Sequence, residues 1–277
     1  MELRDALLGA GLSPPQNLSP GRWIRFPGIG KGRGNTSGWC RILSPGLAVY
    51  GDWSQDLRAV WRDESVQDGR SDREALRDAL REQKAERTKE RVRQREVAKY
   101  AQRLVERAVR ATHPYLERKG FPSYCGLVDG HELLVPMRDV RSYDDVLNVQ
   151  RISSDGTKKF LLGGRARGAV YIMGPHCERT VLVEGFATGL SVELAVQRLG
   201  QPARVVVCFS AHNLVQVAKF FPAAVVAADH DESGTGEAVA RETALKWVMP
   251  DDVGDFNDQH LQSGIWSVTQ KLRELFV

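Results

Sequence analysis

The chain has 277 residues, 42% of them apolar and 27% charged, with a formal net charge of +4; this is the composition of a globular protein large enough for two or three domains, not of a disordered or fibrous one. No apolar run approaches the eighteen or so residues needed to cross a bilayer, and MELRDALLGAG lacks the basic-then-apolar order of a secretory leader. Cys40, Cys125, Cys177 and Cys208 stand far apart without a C-x-x-C pair, which argues against a disulfide framework or a zinc site and for a reduced, cytoplasmic protein without membrane partners.

The charge is unevenly spread. From Thr180 onward there are 7 basic residues against 12 acidic ones, whereas residues 1–179 carry 32 against 23. A basic half joined to an acidic half suits a polynucleotide substrate, one half gripping phosphates and the other binding metal. Asymmetry of this size is also common in proteins that bind no nucleic acid.

Residues 1–68 read as a small β-rich module. A short helix over Met1–Gly11 ends at Gly11 and Pro14–Pro15. Short strands separated by Gly, Asn and Ser then follow in hairpin style. Four of the six tryptophans, Trp23, Trp39, Trp53 and Trp61, fall here together with Tyr50, interleaved with Arg22, Arg25, Lys31, Arg33 and Arg41. Such a set can stack bases and hold phosphates, with Trp39, Trp53, Lys31 and Arg33 as the DNA-contact candidates. It is also what a domain this small needs to build any core.

Residues 69–112 read as a helical spacer. No Gly or Pro occurs between Gly69 and Pro114, Ser71 with Glu74 fits a capping box, and mixed charge covers every face of the middle. The helix is expected to run to residue 111. Residues 113–177 resume a globular pattern as a small mixed α+β subdomain, in which ELLVPMRD, DVLNVQRISSDG, KKFLLGG and GAVYIMG predict four strands.

Residues 178–277 organise the rest. Val181–Val183, Val205–Phe209 and Val225–Ala228 are continuous, mostly β-branched apolar runs separated by amphipathic helical stretches, as expected of a parallel sheet covered on both faces. Glu184 follows the first run, and Asp229 and Asp231 follow the third. Ligands of open α/β sheets bind at the carboxyl ends of strands, so these carboxylates share one rim, and Asp255 or Asp258 of GDFND completes it. Two carboxylates about 4 Å apart repel by roughly 4 kcal/mol at an effective dielectric of 20, so the cluster calls for a divalent cation. The glycine-rich Ser233–Gly236 lacks the lysine and spacing of a P-loop and reads as a flexible segment around the ligands. A last amphipathic helix is expected over Ile265–Phe276.

EGFATGLS, FSAHNLVQVAKF, AADHDESGTGEAVA and DFND, in this order and at βαβ spacing, resemble the Toprim domain, and more closely the Toprim primases of plasmids and phages. Gly34–Asn35–Thr36–Ser37–Gly38–Trp39 and Tyr50–Gly51–Asp52–Trp53 resemble the N-terminal module of the same primases, without the zinc ribbon that many carry there. The resemblance implies an α/β Toprim Rossmann-like sheet preceded by the smaller modules. It implies synthesis of short RNA primers on single-stranded DNA from ribonucleoside triphosphates, with Mg2+ (or Mn2+) held by Glu184, Asp229 and Asp231, and no zinc. Glu184 could instead serve as general base. The resemblance also places basic and polar residues of the preceding subdomain against template and nucleotide: Asn148, Gln150, Arg151, Lys158 and Lys159, with Arg165 and Arg167 as further candidates. Lys158 is favoured, and Lys158 and Lys159 must point to opposite faces of a regular strand. An acidic residue often found four positions after the glutamate is Thr188 here, which leaves the number of metals open. A helicase, if one is needed, is expected to come from another protein. A Toprim nuclease and a non-catalytic DNA-binding accessory protein are the alternative readings.

Overall fold

The computed structural model describes residues 2–30, 32, 34–53, 55, 57–63, 65 and 70–276, excluding the side chains of Arg70 and Ser71. The candidates Lys31 and Arg33 and the Ser71 capping box therefore lie outside the described residues. The chain divides into two units, Met1–Lys89 and Glu90–Val277.

In the first unit, helix α1 (Leu3–Gly9) precedes four antiparallel strands in sequence order, β1 (Ile24–Phe26), β2 (Gly38–Ser44), β3 (Leu47–Asp52) and β4 (Leu57–Arg62). Neighbouring residues point to opposite faces of a strand, and both faces are covered. Cys40, Ala48 and Tyr50 pack with Leu3, Ala6 and Leu7 of α1. Trp39 and Val49 pack with Leu76 and Ala79, which belong to the start of α2 (Arg70–Arg107).

The two tryptophan-glycine motifs fold the loop between β1 and β2. Asn35 Oδ1 accepts from the Gly28 amide at 3.0 Å, the Ser37 amide at 2.9 Å and the Ser37 hydroxyl at 2.8 Å. The fully buried Asp52 accepts from the Ile29 amide at 2.7 Å. A Cβ on Gly51 would stand 2.0 Å from the Leu57 carbonyl oxygen and 2.7 Å from the Trp39 ring. Gly51→Ala is therefore expected to destabilise the first unit by about 3 kcal/mol, the upper range for overpacking a tight core. Chemical denaturation followed by tryptophan fluorescence, which this unit dominates, measures the loss.

The second unit begins within α2, whose Ala101 and Leu104 pack on Leu134, Val146 and Val149. The helix ends at Arg107, short of residue 111, because Val109–Ala111 forms strand β5 and pairs with β6 (Gly126–Asp129). Pro114 favours extended backbone before it, and His113 caps the short helix α3 (Pro114–Arg118) by accepting from the Tyr115 amide. Strands β7 (Glu132–Asp139), β8 (Val146–Ile152) and β9 (Lys158–Phe160) run as an antiparallel meander. These three and β10 (Ala169–Met173) are the four strands expected from the apolar runs; β5 and β6 are additional.

The remaining elements alternate: β11 (Thr180–Val183), α4 (Phe186–Arg198), β12 (Arg204–Val207), α5 (Ala211–Ala218), β13 (Val225–Ala227), α6 (Thr235–Glu242), β14 (Lys246–Val248) and α7 (Phe256–Arg273). Strands β12, β11, β13 and β14 lie side by side and all parallel, as the apolar runs predict. Val181, Val183, Val205 and Val207 bury against Phe186 and Leu190 of α4 and Phe256, Val268 and Leu272 of α7. The alternate residues Leu182, Val206 and Val226 bury against Leu214 and Val217 of α5 and Ala240 of α6. β10 pairs antiparallel with β12 on one side and with the end of β7 on the other, so one ten-stranded sheet spans the unit. The chain leaves β11 for β12 on one side and returns to β13 on the other, which makes the crevice between β11 and β13 the topological switch point.

The last helix starts earlier than Ile265, at Phe256, and is interrupted at Gly264, where φ is 78° and ψ 162°. Among the described residues no helix is long and apolar enough to cross a membrane.

Candidate active site

The switch point is flanked by Glu184, the residue after β11, and Asp229, two residues after β13. The Glu184 carboxylate accepts from the Ala211 amide in the first turn of α5. Burial, and then the nearby negative charge of Asp231, raise its pKa, while Lys158 opposes them. Asp229 is more deeply placed. Burial first, then Asp255 and Glu184, push its pKa up to about 8, and its Oδ1 is buried without a hydrogen-bond partner.

Asp231 is the opposite case. Its Oδ1 accepts from the Thr235 amide at 3.0 Å and from the Ser233 hydroxyl, and its Oδ2 from the Gly236 amide at 2.6 Å. The Ser233 hydrogen bond, then that of Gly236, hold its pKa down at about 2. Ser233–Gly236 thus forms a clasp on a carboxylate at the start of α6. Of the D-x-D pair, Asp229 has one oxygen buried without a partner, whereas Asp231 accepts three hydrogen bonds and keeps an acceptor site open on Oδ2.

Asp255 and Asp258 are committed to a helix end. Asp255 Oδ1 accepts from the Asn257 amide at 2.7 Å and the Asp258 amide at 3.0 Å, and Asp258 Oδ2 accepts from the Asp255 amide at 3.1 Å, a capping box for α7. Asp258 Oδ1 also lies 3.6 Å from Lys119 Nζ. Backbone pairing of His230 with Gly254, at 2.9 and 2.8 Å, ties this turn to the D-x-D loop and brings the Asp255 charge to bear on Asp229. Asn257 is buried, donating to the Lys119 carbonyl at 2.8 Å and the Ser191 hydroxyl at 3.1 Å. Among the described residues no three His, Cys, Asp or Glu side chains are gathered into a ready metal-ligand set. The rim carboxylates shift one another's ionisation without yet converging on a point.

Lys158 faces this rim from β9. Solvent reaches it, yet protein crowds it on several sides. Desolvation lowers its pKa, Asp255, Asp229 and Glu184 pull the other way, and Lys119 adds to the lowering. Its ammonium lies 5.8 Å from the centre of the Tyr115 ring. Lys159, also exposed, alternates to the other side of the strand.

The other basic and polar candidates are engaged elsewhere. Asn148 is fully buried, and its Oδ1 accepts from the Val149 amide at 2.8 Å and the Leu161 amide at 3.1 Å, so it ties the chain leaving β9 to β8 and cannot touch a nucleotide. Gln150 is buried as well. Arg151 pairs with Glu132 on β7 at 3.4 Å, and Arg165 pairs with Asp139 at 3.0 Å and donates to the Arg167 carbonyl at 2.8 Å. Arg167 is exposed.

In the first unit, Trp39 is 1% exposed, with Trp23 at 5.4 Å and Trp53 at 5.3 Å between ring centres. A base cannot stack on it, which overturns its assignment as a DNA contact. Trp53 is half-buried, with Arg25 and Arg58 5.3 and 5.6 Å from its ring centre. These aromatics and arginines pack on one another, while the indole N–H groups of Trp39 and Trp53 are buried without a hydrogen-bond partner.

Two features at the rim were not visible in the sequence. Phe209, after β12, has φ 67° and donates its amide to the Glu184 carbonyl at 2.8 Å. This left-handed conformation is rare for a bulky residue, and a Phe codes for it no more than any other side chain. The second is the clasp made by Asn213, which donates to the Ala169 and Cys208 carbonyls at 2.8 Å each and accepts from the Gly168 amide at 2.7 Å. Here the FSAHNL motif offered a signal, since a buried Asn at a strand-to-helix turn commonly serves backbone groups.

Solved structures that resemble this chain include primase domains. The primase fragment of the bacteriophage T7 primase-helicase protein matches with a TM-score of 0.40 at 17% identity, over 57% of this chain and 69% of that one. A DNA primase domain from Pseudomonas aeruginosa matches at 0.34 and 12%, over 60% and 56%. The RNA polymerase domain of the Mycobacterium tuberculosis primase, solved with a double-stranded DNA oligomer bearing an overhang, matches at 0.35 and 16%, over 64% and 68%. No family model matches the sequence. At these TM-scores the likeness is partial.

Proposed function

We propose that this chain is a Toprim-type primase, joining ribonucleotides into short primers on single-stranded DNA. The observation that carries the reading is Asp229: a half-buried residue whose Oδ1 is shut off from solvent without a hydrogen-bond partner, beside Glu184 at the switch point of a parallel sheet and across from Lys158. A buried, uncompensated carboxylate is costly unless a cation completes it, and an all-oxygen donor set suits magnesium, with manganese as a substitute. Glu184, Asp229 and Asp231 would hold the metal, Asp255 adding negative charge from its capping position. When bound, the ion supplies charge neutralisation at the transferred phosphate and activation of the attacking hydroxyl. The side chains divide the remaining work. Asp231, kept ionised by its clasp, provides a fixed negative charge; Asp229 exchanges its proton for the cation; Lys158 takes the nucleotide's phosphates. The basic excess ahead of Thr180 favours a polynucleotide partner.

The test is primer synthesis by the purified chain with single-stranded DNA, labelled ribonucleotides and magnesium, beside Glu184→Gln. Short products lost in the variant support the reading. Template cleavage instead indicates a nuclease, and tight DNA binding indifferent to the substitution and to magnesium indicates an accessory protein. A pH dependence is expected too. Because the Asp229 pKa is raised to about 8, protons compete with the metal below that value. Magnesium affinity, measured by calorimetry, should rise by up to about tenfold per pH unit between pH 6 and 8 and flatten above.

A further inference from the structure

Beside the carboxylates, two phenylalanines from different parts of the sheet meet. The rings of Phe160 and Phe209 have centres 6.2 Å apart at an interplanar angle of 87°. Phe160 is the last residue of β9, all three residues of which are exposed, and 39% of its own surface is open to solvent. Residues two apart share a strand face, so Phe160 stands on the same side of β9 as Lys158. Phe209 is half-buried against the core of the parallel sheet, one backbone hydrogen bond from Glu184. Its φ of 67° is one that glycine adopts freely and phenylalanine only at a cost, and conformations of this sort persist where a site requires them.

We infer that Phe160 and Phe209 form the seat on which the base of the incoming ribonucleotide stacks while its triphosphate lies between Lys158 and the carboxylate rim. The inference rests on the nucleotide-binding reading above and adds to it the part of the ligand that the charged residues cannot recognise. Every base has a π-face, so an aromatic seat accepts all four and sets affinity more than sequence preference. The open ring of Phe160 supplies the stacking surface. Phe209, perpendicular to it and anchored by the core and by its own backbone, holds that ring in place. Lys158, two residues earlier, meets the phosphates of the same molecule.

The experiment compares two ligands on the full chain by calorimetry: magnesium·GTP, and magnesium·tripolyphosphate, which has the phosphates without the base. The variants are Phe160→Leu, which keeps an apolar side chain but has no π-face, and Phe160→Trp, which keeps one. Phe160→Leu is expected to weaken GTP about tenfold, the scale of one stacked base, and to leave tripolyphosphate within twofold of the unaltered chain. Phe160→Trp should hold GTP within twofold. GTP affinity unchanged in Phe160→Leu, equal losses for both ligands, or a Trp variant as weak as the Leu variant would each overturn the seat while leaving the phosphate site standing. An unaltered chain that binds neither ligand would overturn the nucleotide-binding reading itself.

Discussion

Asp229→Asn is expected to stabilise the metal-free protein while abolishing its activity. The folded-state pKa of Asp229 is raised from 3.8 to about 8, chiefly by burial. A carboxyl so perturbed costs nothing below about pH 4, where folded and unfolded chains are both protonated. The cost grows as pH rises, because the unfolded chain gives up its proton and the folded one does not. Near pH 8 the amide, which has no charge to bury, should recover roughly 2–4 kcal/mol of this, since each tenfold difference in proton affinity is worth about 1.4 kcal/mol. For a protein domain of this size that corresponds to a rise in Tm of about 5–10 °C. Thermal melts in EDTA at pH 8 and pH 4 should show the gain at the first and not at the second. Saturating magnesium should raise the Tm of the unaltered chain, through binding to the folded state alone, and leave the variant where it is. Primer synthesis should fall by more than about a hundredfold, beyond what is lost when a residue merely supporting a metal ligand is removed. Stability given up for function at one buried carboxylate is the expected signature of a site of this type.

Gly236→Ala should produce the other large effect, in the reverse direction for stability. A Cβ at Gly236 would stand 1.9 Å from the Asp229 carbonyl oxygen and 2.9 Å from its carbon, and backbone atoms cannot rotate aside. The same residue donates its amide to Asp231 at 2.6 Å. One methyl group would thus separate the two aspartates and open the clasp, at about 3 kcal/mol, the upper range for overpacking, with primer synthesis lost alongside. Gly234 is the control. It also lies in the loop, but nothing stands within 4 Å of its Cβ position and only its φ of 70° speaks for glycine. Gly234→Ala should cost about 1 kcal/mol and keep most of the activity. Calorimetric melts of the pair, together with primer yields, separate collision from backbone preference.

What could be read from the sequence followed the strength of the local signal. Apolar runs such as Val181–Val183 and Val205–Val207 are buried on both sides, and their continuity announced the parallel strands; the positions of Glu184 and Asp229 at strand ends came with them. Strands β5 and β6, of 3 and 4 residues, are too short to carry a period, and β5 was absorbed into the helix before it. Residue type also failed to tell which face a side chain takes where both faces are covered, so Trp39 and Asn148 looked available for ligands and are buried. Asp255 and Asp258 show a different ambiguity. A carboxylate that caps a helix and one that binds a metal are the same residue type, and aspartate is among the commonest N-caps. Lys158 and Lys159 were expected on opposite faces with Lys158 favoured, and the pairing of Lys159 with Arg151 across β8 and β9 sets the register.

Because β10 hydrogen-bonds to β12 on one edge and to β7 on the other, the meander that carries Lys158 and the parallel strands that carry the carboxylates are one uninterrupted fabric. Lys158 and the carboxylates are therefore joined through one continuous run of strand pairings. On the proposed function, a nucleotide held between these two groups would spend little of its binding energy on rearranging the sheet that joins them.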